Sequence, residues 1–303
     1  MDIAITGSTG LIGEALRTRL LADGHRVVRV VRHAPEGPDE IRWDPGAGRL
    51  AASDLDGLDA VVHLAGEGIA EKRWTPAQKD RILTSRTAGT TLLAERLAEA
   101  GDGPRVLISG SAIGWYGDRG DEVLTEASPI GDGFLADVCR QWEAAADPAR
   151  AAGVRVAHIR TGIVLDPHGG VLAKQLPLFK VGLGGRIGSG RQYMSWIAIE
   201  DEVGAICHLL DHEVEGPVNL TAPDPVTNRA FTEALGAALH RPTVVPVPGF
   251  GPKLLFGGEL VDELLLASQR VLPERLTESG YAFSQPELGP ALETLLAPTP
   301  AGG

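Results

Sequence analysis

The chain has 303 residues, of which 43% are hydrophobic and 22% are charged, and its 40 acidic side chains outnumber 28 lysines and arginines. The apolar fraction excludes an intrinsically disordered chain, and the net charge of −12 argues against nucleic acids and anionic membranes as partners. At this length a single core is close to dividing, so we expect one large domain with a smaller lobe.

The first half of the chain alternates short apolar runs with amphipathic segments. It predicts strands over 2–6, 26–32, 59–65, 105–109 and 154–160, and helices over 11–22, 75–100 and 134–152. Continuous apolar strands that alternate with helices are typical of a parallel sheet covered on both faces. We therefore predict an α/β fold, a Rossmann-type doubly wound parallel sheet, in which 41–50 forms a hairpin or loop insertion.

The pattern changes after about Leu165. Five glycines between Gly182 and Gly190 predict a loop. A helix over 199–210 and a short strand over 216–221 follow, and the remainder mixes Pro-rich turns with short helices. This part is predicted to include a smaller C-terminal α+β lobe.

The two cysteines, Cys139 and Cys207, are too few for a disulfide framework or a four-ligand zinc site. Segment 1–7 lacks the basic start and long apolar core of a signal peptide. No run approaches the roughly 18 apolar residues of a membrane helix. We therefore expect a cytoplasmic protein without a metal site.

The most specific short motif is the turn Thr6-Gly-Ser-Thr-Gly-Leu-Ile-Gly13, which follows a predicted strand and opens a predicted helix. Glycines at this spacing allow a tight turn, close approach of the backbone to a pyrophosphate, and close packing of the helix on the strand. Free N–H groups at the start of the helix attract phosphate. A glycine turn without a ligand is the alternative. We predict a dinucleotide site that includes Gly7, Ser8, Thr9, Gly10, Leu11, Ile12 and Gly13.

The end of the second predicted strand indicates which dinucleotide binds. An NAD site usually carries Asp or Glu about 20 residues after the glycines, where it holds the ribose 2′-hydroxyl. Here Arg32 stands 19 residues after Gly13. A guanidinium pairs with a 2′-phosphate, which a carboxylate would repel. Arg32 therefore favours NADP(H) over NAD(H); a solvated arginine at a strand end is the alternative.

Further motifs follow in an order that is specific when they are taken together. They are His63-Leu-Ala-Gly-Glu67, Arg73-Trp74, Ser85-Arg86, Ser109-Gly-Ser-Ala-Ile-Gly-Trp-Tyr-Gly117, Phe134 to Glu143, Arg160 to Leu165, Gly188 to Ile197, Asn219 to Asn228 and Gln269 to Pro273. With the glycine turn, they make the chain resemble the extended short-chain dehydrogenase/reductase superfamily over almost its whole length. More specifically, it resembles an atypical branch of uncharacterised NAD(P)-binding, sugar-nucleotide-epimerase-like proteins with a short C-terminal module of unknown function.

The resemblance implies a division of the chain and a wider cofactor site. It implies an NADP-binding Rossmann domain over 1–222, with a cleft loop near 166–193 contributed to the substrate lobe, and a C-terminal substrate lobe over 223–296. The composition of 297–303 itself predicts a disordered tail. The resemblance adds Leu64, Ala65, Gly66, Glu67, Ser109, Thr161, Gly162 and Ile163 to the cofactor site, with a solvated loop carboxylate as the alternative for Glu67. It also makes a homodimer an expectation, because members commonly pair through a four-helix interface.

Arg191, Gln192 and Trp196 follow the glycine loop and are the predicted substrate-binding residues. In related epimerases and reductases such a segment contacts the nucleotide part of the substrate. Arg191 would pair with a phosphate or carboxylate, or else form a structural ion pair with Asp201 or Glu202. For Trp196, core packing is the alternative.

The superfamily's chemistry uses a tyrosine as acid/base and a lysine four residues later that lowers the tyrosine pKa. The resemblance places Leu135 and Cys139 at these positions, and no tyrosine in the chain has lysine four residues later. Ser111, which would orient a carbonyl or hydroxyl, is present, and we predict it as catalytic. Tyr116, in the same loop, is predicted as a replacement acid or a wall of the pocket. His63 is expected to satisfy a backbone group, and Cys139 to be a small core side chain.

These observations favour an NADP(H)-dependent oxidoreductase or epimerase that acts on a small carbonyl compound or a nucleotide sugar. The missing Tyr-Lys pair keeps a second hypothesis open, a catalytically silent NADP(H)-binding sensor or assembly protein. Both hypotheses share the cofactor site and differ in whether a substrate is turned over.

Overall fold

A parallel sheet of seven strands forms the centre of the protein, described by a computed structural model over residues 1–244 and 246–297. The strands in chain order are β1 (Asp2–Thr6), β2 (Arg26–Val31), β3 (Glu40–Arg42), β4 (Ala60–His63), β5 (Val106–Ala112), β6 (Val123–Leu124), β7 (Arg155–Thr161), β8 (Ile163–Asp166), β9 (Tyr193–Met194), β10 (Trp196–Ala198), β11 (Gly216–Leu220), β12 (Val226–Thr227) and β13 (Arg270–Val271). The central sheet has the order β11-β7-β5-β4-β1-β2-β3. The order reverses between β1 and β4, and this reversal opens a crevice at the carboxyl ends of the strands.

Helices cover both faces of this sheet. Residues of α1 and α6 pack on one face and residues of α2 and α4 on the other. The helices in chain order are α1 (Leu11–Ala22), α2 (Pro76–Glu99), α3 (Phe134–Ala144), α4 (Asp147–Ala151), α5 (Gly170–Lys180), α6 (Ile199–Asp211), α7 (Asn228–Ala238), α8 (Phe250–Phe256), α9 (Gly258–Val261), α10 (Glu274–Glu278) and α11 (Leu288–Leu296). Ile3 and Ile5 pack with Leu20 of α1 in one core, whereas Ala4 packs with Leu93 of α2 in a second core. Alternate side chains of β1 thus enter opposite layers, which confirms the predicted doubly wound sheet.

Two predicted elements need correction. The predicted single helix over 134–152 is two helices, and the first, α3, ends at Ala144. In one continuous helix the ring of Pro148 would clash with the carbonyl four residues earlier. In the predicted insertion over 41–50, the first residues belong to β3, which extends the parallel sheet beside β2. Only the remainder forms a loop, closed by an antiparallel bridge between Asp44 and Arg49.

The predicted cleft loop near 166–193 also needs correction, because it contains helix α5. Leu172, Leu176 and Phe179 recur at helical spacing, and all three are buried. The loop is therefore confined to the glycine-rich stretch after Val181, as the run from Gly182 to Gly190 predicted.

A third apolar core connects the end of the sheet domain with the C-terminal segments. Leu165 and Trp196 pack there with Phe231 and Leu292. Strand β13 pairs with β6 in parallel. The predicted boundary between 222 and 223 crosses this core, and the division into domains stays a prediction. The predicted disordered tail over 297–303 lies outside the described residues, apart from Ala297.

No helix over 1–244 and 246–297 is both long enough and apolar enough to cross a membrane.

Candidate functional site

The glycine turn joins β1 to α1 and leaves no room for a side chain at Gly7 or Gly13. Gly7 has φ +69°, and its carbonyl accepts a hydrogen bond from the Gly10 N–H at 2.9 Å. A Cβ at Gly13 would lie 2.2 Å from the Gly7 oxygen, and a Cβ at Gly7 would lie 2.9 Å from Ala65 N. The turn therefore packs tightly against the segment after β4, and bare backbone faces the adjacent space.

A cavity of about 240 Å³ opens beside this turn, at the carboxyl ends of the central strands. It is lined by Gly7, Gly10, Leu11, Ile12, Gly13, Leu64, Gly110, Ser111, Trp142, Ile159, Thr161 and Val164. Among these residues, Ser111 and Thr161 carry the two hydroxyl groups. Such a site, apolar with few polar groups and with glycine backbone along one side, suits a flat ring linked to phosphates.

Seven of the predicted cofactor residues line this cavity: Gly7, Gly10, Leu11, Ile12, Gly13, Leu64 and Thr161. The predicted residues that do not line the cavity include six that adjoin lining residues in the chain, Ser8, Thr9, Ala65, Ser109, Gly162 and Ile163, and two that follow Leu64 by two and three positions, Gly66 and Glu67. Sequence analysis missed Gly110, Trp142, Ile159 and Val164. Gly110 was detectable, because it lies between the predicted residues Ser109 and Ser111.

Two arginines lie at the outer side of the glycine turn. Arg32 directly follows β2 and is exposed, as a residue that binds a cofactor phosphate would be. Arg29, which sequence analysis missed, has Nε 3.4 Å from Ser8 Oγ and pairs with Glu40 at 3.1 Å. A wider hollow of about 320 Å³ adjoins Arg29, but acidic residues 36, 39 and 40 line it and no part of the glycine turn does. We therefore place the candidate site at the smaller cavity.

Ser111 belongs to a buried polar network that leads away from the cavity. Its hydroxyl donates to Glu143 Oε1 at 2.7 Å, and Arg160 donates to both Glu143 oxygens at 2.8 and 3.0 Å. The Arg160 guanidinium also lies 3.9 Å from the centre of the Trp115 ring. The bidentate pairing compensates the two buried charges. It also fixes the direction in which the Ser111 oxygen points.

Tyr116 lies at the other end of this network. Its hydroxyl donates to Asn219 Oδ1 at 2.7 Å and accepts from Arg160 Nη1 at 3.1 Å. The side chain is 0% exposed, and burial raises its pKa to about 12 although Arg160 opposes this shift. Tyr116 does not line the cavity. The geometry therefore disagrees with both predicted roles, acid and pocket wall, because β11 brings Asn219 to the hydroxyl and holds it in the interior.

The predicted substrate-binding role of two residues, Gln192 and Trp196, needs correction. Gln192 is buried, and its amide donates to the carbonyls of Ile187 and Leu265 at 3.2 and 3.1 Å. Trp196 is 0% exposed in the third core, and its indole N–H donates to the Asp224 carbonyl at 2.9 Å. Strand β10 pairs with β8 and so directs Trp196 into the core. Both side chains stabilise the fold.

Arg191, the remaining predicted substrate residue, is exposed. Its predicted alternative, an ion pair with Asp201 or Glu202, is absent from the described part of the chain. Asp201 instead accepts hydrogen bonds from the Tyr281 hydroxyl at 3.0 Å and the Ser284 N–H at 2.7 Å. The substrate role of Arg191 stays a prediction.

Glu202 is a buried acid beneath the cavity that sequence analysis missed. Its Oε1 accepts a hydrogen bond from Thr161 Oγ1 at 2.8 Å, and its Oε2 has no partner over the described ranges. Burial raises the pKa of this carboxyl to about 8. Because Thr161 lines the cavity, Glu202 lies one hydrogen bond from the site. The available indication of this buried acid in the sequence was its place beside Val203 and Ile206, on the apolar face of α6.

His63 and Cys139 are structural, as expected, but His63 has a different partner. Its Nδ1 lies 2.7 Å from the Thr6 hydroxyl. The oxygen of this hydroxyl accepts hydrogen bonds from two backbone N–H groups at 3.1 and 3.2 Å, so its proton is left to point to His63. Burial lowers the pKa of His63 to about 4. Cys139 is 3% exposed, and burial raises its thiol pKa to about 12. Across the part of the chain that the structure covers, no three His, Cys, Asp or Glu side chains could hold a metal ion.

Comparison with known proteins matches both parts of the chain. The profile of the NAD dependent epimerase/dehydratase family matches residues 3–221, and that of a domain of unknown function (DUF1731) matches residues 247–295. The epimerase family protein Mb2239 of Mycobacterium bovis is 46% identical over 291 residues, which cover 96% of each chain. The epimerase family protein SDR39U1 of Homo sapiens is 38% identical over 303 residues, which cover 98% of this chain and 100% of the relative.

A solved structure shows the same likeness in three dimensions. The crystal structure of human SDR39U1 (isoform 2) with NADPH is 36% identical and has a TM-score of 0.89, covering 97% of this chain and 99% of that chain. The chain therefore belongs to the NAD dependent epimerase/dehydratase family, with the fold of the extended short-chain dehydrogenases/reductases.

Proposed function

We propose that this protein binds NADP(H) and is an oxidoreductase or epimerase that acts on a small carbonyl compound or a nucleotide sugar. The observation that carries the proposal is the cavity, because it brings the glycine turn and the Ser111 hydroxyl to one space. A cofactor on the turn and a substrate at Ser111 would then be neighbours.

The residues present fit a dinucleotide. Any side chain at Gly7 or Gly13 would collide with backbone, so the turn requires glycine at both positions, and the N–H groups at the start of α1 would attract a pyrophosphate. Arg32 would hold a 2′-phosphate, and Arg29 lies beside Ser8 in support. NADPH in the human relative's crystal structure agrees with this choice. When bound, the nicotinamide would supply or accept a hydride.

Ser111 would act as a hydrogen-bond acceptor for the substrate. Its single proton is donated to Glu143 at 2.7 Å, so only its lone pairs are left for a ligand. Such an oxygen receives the hydroxyl of an alcohol or sugar, and the pairing of Glu143 with Arg160 keeps it aimed. Ser111 therefore orients the group that is oxidised, and a proton acceptor must come from elsewhere.

One observation favours the silent NADP(H) sensor as a second candidate. Leu135 and Cys139 are buried at 9% and 3% exposure, and Ser111 and Thr161 are the only polar side chains on the cavity wall apart from the Trp142 indole. No lining residue is therefore a proton donor with an adjusted pKa. Calorimetry with NADPH and NADP⁺ separates the candidates, because a sensor distinguishes the two redox states strongly.

The proposed activity is tested on a panel of compounds by following NADPH consumption with aldehydes and ketones, NADP⁺ reduction with alcohols, and conversion of nucleotide sugars to their epimers by NMR, since epimerisation consumes no cofactor. We expect turnover of at least one compound, and Ser111→Ala should lower kcat by about 100-fold. Ser53→Ala, at an exposed serine, is the matched control and should leave kcat unchanged. Cofactor binding without turnover across the panel would favour the sensor, and full activity of Ser111→Ala would refute the role of Ser111.

A further inference from the structure

Arg86 on α2 carries a half-buried positive charge that no acidic side chain neutralises within 4.0 Å over 1–244 and 246–297. Its Nη1 donates to the backbone carbonyls of Glu67 and Ile82, both at 3.0 Å. Arg160, the comparable buried arginine, has the carboxylate of Glu143. Burial lowers the pKa of the Arg86 guanidinium, which reflects the cost of keeping this charge away from water.

Arg86 lies behind one wall of the cavity, which Trp142 forms. Its guanidinium carbon is 5.0 Å from the centre of the ring of Trp142, which lines the cavity. A Cβ at Gly66 would lie 3.3 Å from the same carbon, and Gly66 follows the lining residue Leu64 by two positions. The guanidinium is thus held beneath the segment after β4 and beside the Trp142 wall of the cavity.

Two guanidinium nitrogens, Nε and Nη2, make no hydrogen bond to any residue that the structure describes, and neither is fully enclosed. Nη1 is fixed by the two carbonyls, so the direction of the planar group is set. An oriented guanidinium with free N–H groups on one side matches the two oxygens of a carboxylate or phosphate.

The positive charge of Arg86 also acts on the position of α3 at which the resemblance predicted a lysine. Arg86 and the Cys139 thiol interact electrostatically, and Cys139 occupies that lysine's position on α3. A cation that approaches from α2 is therefore present in the region where a lysine on α3 is missing.

The cofactor phosphates already have partners in the proposed site. The glycine turn would hold the pyrophosphate, and Arg32 would hold a 2′-phosphate. Over the described residues the only carboxylate that opposes the cost of burying this charge is the more distant one of Glu67, so a ligand that brings an opposite charge into contact with the guanidinium would stabilise it. We propose that Arg86 binds a carboxylate or phosphate group of the substrate beside the cofactor, an inference that rests on the proposed function. The substrates are then anionic compounds, and neutral carbonyl compounds are poor ones.

The test measures binding of two probe anions, inorganic phosphate and succinate, to protein saturated with NADP⁺. Saturation blocks the cofactor's own phosphate sites, so the probes report on a second anion site. We expect at least one probe to bind the wild type, and Arg86→Gln to raise its Kd at least tenfold. Arg81→Gln, an exposed arginine on the same helix, is the matched control and should bind the probe as the wild type does.

NADPH titrations of the same variants keep the two proposals separate. Equal NADPH affinity of Arg86→Gln and wild type, with loss of the probe, supports the substrate subsite. A matching loss of NADPH affinity would overturn the substrate subsite, because Arg86 would then serve the cofactor. Unchanged probe binding in Arg86→Gln would also overturn it, as would the absence of probe binding by the wild type. Failure of the wild type to bind NADPH would instead refute the proposed function. Arg86→Lys keeps the charge, should retain part of the probe affinity, and serves if Arg86→Gln does not fold.

Discussion

Replacing Gly13 by alanine tests whether the glycine turn is as closely packed as the geometry requires. The new Cβ would lie 2.2 Å from the Gly7 oxygen and 2.9 Å from both Gly7 C and Ser8 Cα. All three are backbone atoms of the turn, so no flexible side chain can move aside. To reach an ordinary contact of 3.4 Å, α1 and the turn must separate by about 1.2 Å.

The magnitude follows from this displacement. Overpacking of a closely packed site costs about 1–3 kcal/mol, and for a large domain each kcal/mol lowers Tm by roughly 2–4 °C. The turn to which the pyrophosphate is assigned in the proposed function is the part that must move. We therefore expect Gly13→Ala to lower Tm by at least about 2 °C and to raise the Kd for NADPH at least tenfold, equal to about 1.4 kcal/mol.

The assay pairs thermal unfolding, followed by circular dichroism, with calorimetric titration of NADPH. Gly101→Ala is the control, because a Cβ there meets nothing within 4 Å and the backbone is not left-handed. It should be neutral or stabilise by about 0.4–1 kcal/mol. If Gly13→Ala melted and bound NADPH as Gly101→Ala does, the assignment of the turn to a pyrophosphate would be wrong.

Two further predictions concern buried charges. Arg160→Ala leaves Glu143 buried without its partner and should lower the free energy of unfolding, measured by urea denaturation, by about 3–5 kcal/mol. The control, Arg140→Ala, breaks an exposed pair and should lower the free energy of unfolding by less than about 1 kcal/mol. Similar losses in both variants would contradict the network. Glu202 has a folded-state pKa of about 8 against an ordinary value of 4.5, so the folded state holds a proton that the unfolded state releases between these values. The contribution of this carboxyl to the free energy of unfolding is complete below pH 4.5 and is lost as pH rises through about 8. Glu202→Gln should remove this decline from the stability profile, and an unchanged profile would show that Glu202 does not hold the proton.

Elements whose determinants are local could be predicted from the sequence. The strand from Asp2, the glycine turn and the helix to Ala22 were predicted with the observed bounds, because apolar runs and glycines mark each end. Strand β3 could not be predicted, because three residues of mixed character form a strand only by pairing with β2. The break between α3 and α4 was detectable from Pro148.

The candidate site divides in the same way. Its glycine turn is a continuous motif, and most of it lines the cavity as predicted. The network of Ser111, Glu143 and Arg160 joins β5, α3 and β7, so its distances depend on how the sheet assembles. The pairing of β10 with β8 decides that Trp196 points into the core, and no local pattern encodes that direction.

The most direct test of the account is calorimetric titration of the wild type and Arg32→Asp with NADPH and NADH. We predict that the wild type binds one NADPH per chain more tightly than NADH, and that Arg32→Asp loses far more affinity for NADPH than for NADH. Arg105→Asp, at an exposed arginine just before the amino end of β5 and therefore remote from the carboxyl ends of the strands, should change neither. Absence of saturable NADPH binding by the wild type, or equal losses for both cofactors in Arg32→Asp, would contradict the proposed NADP(H) site.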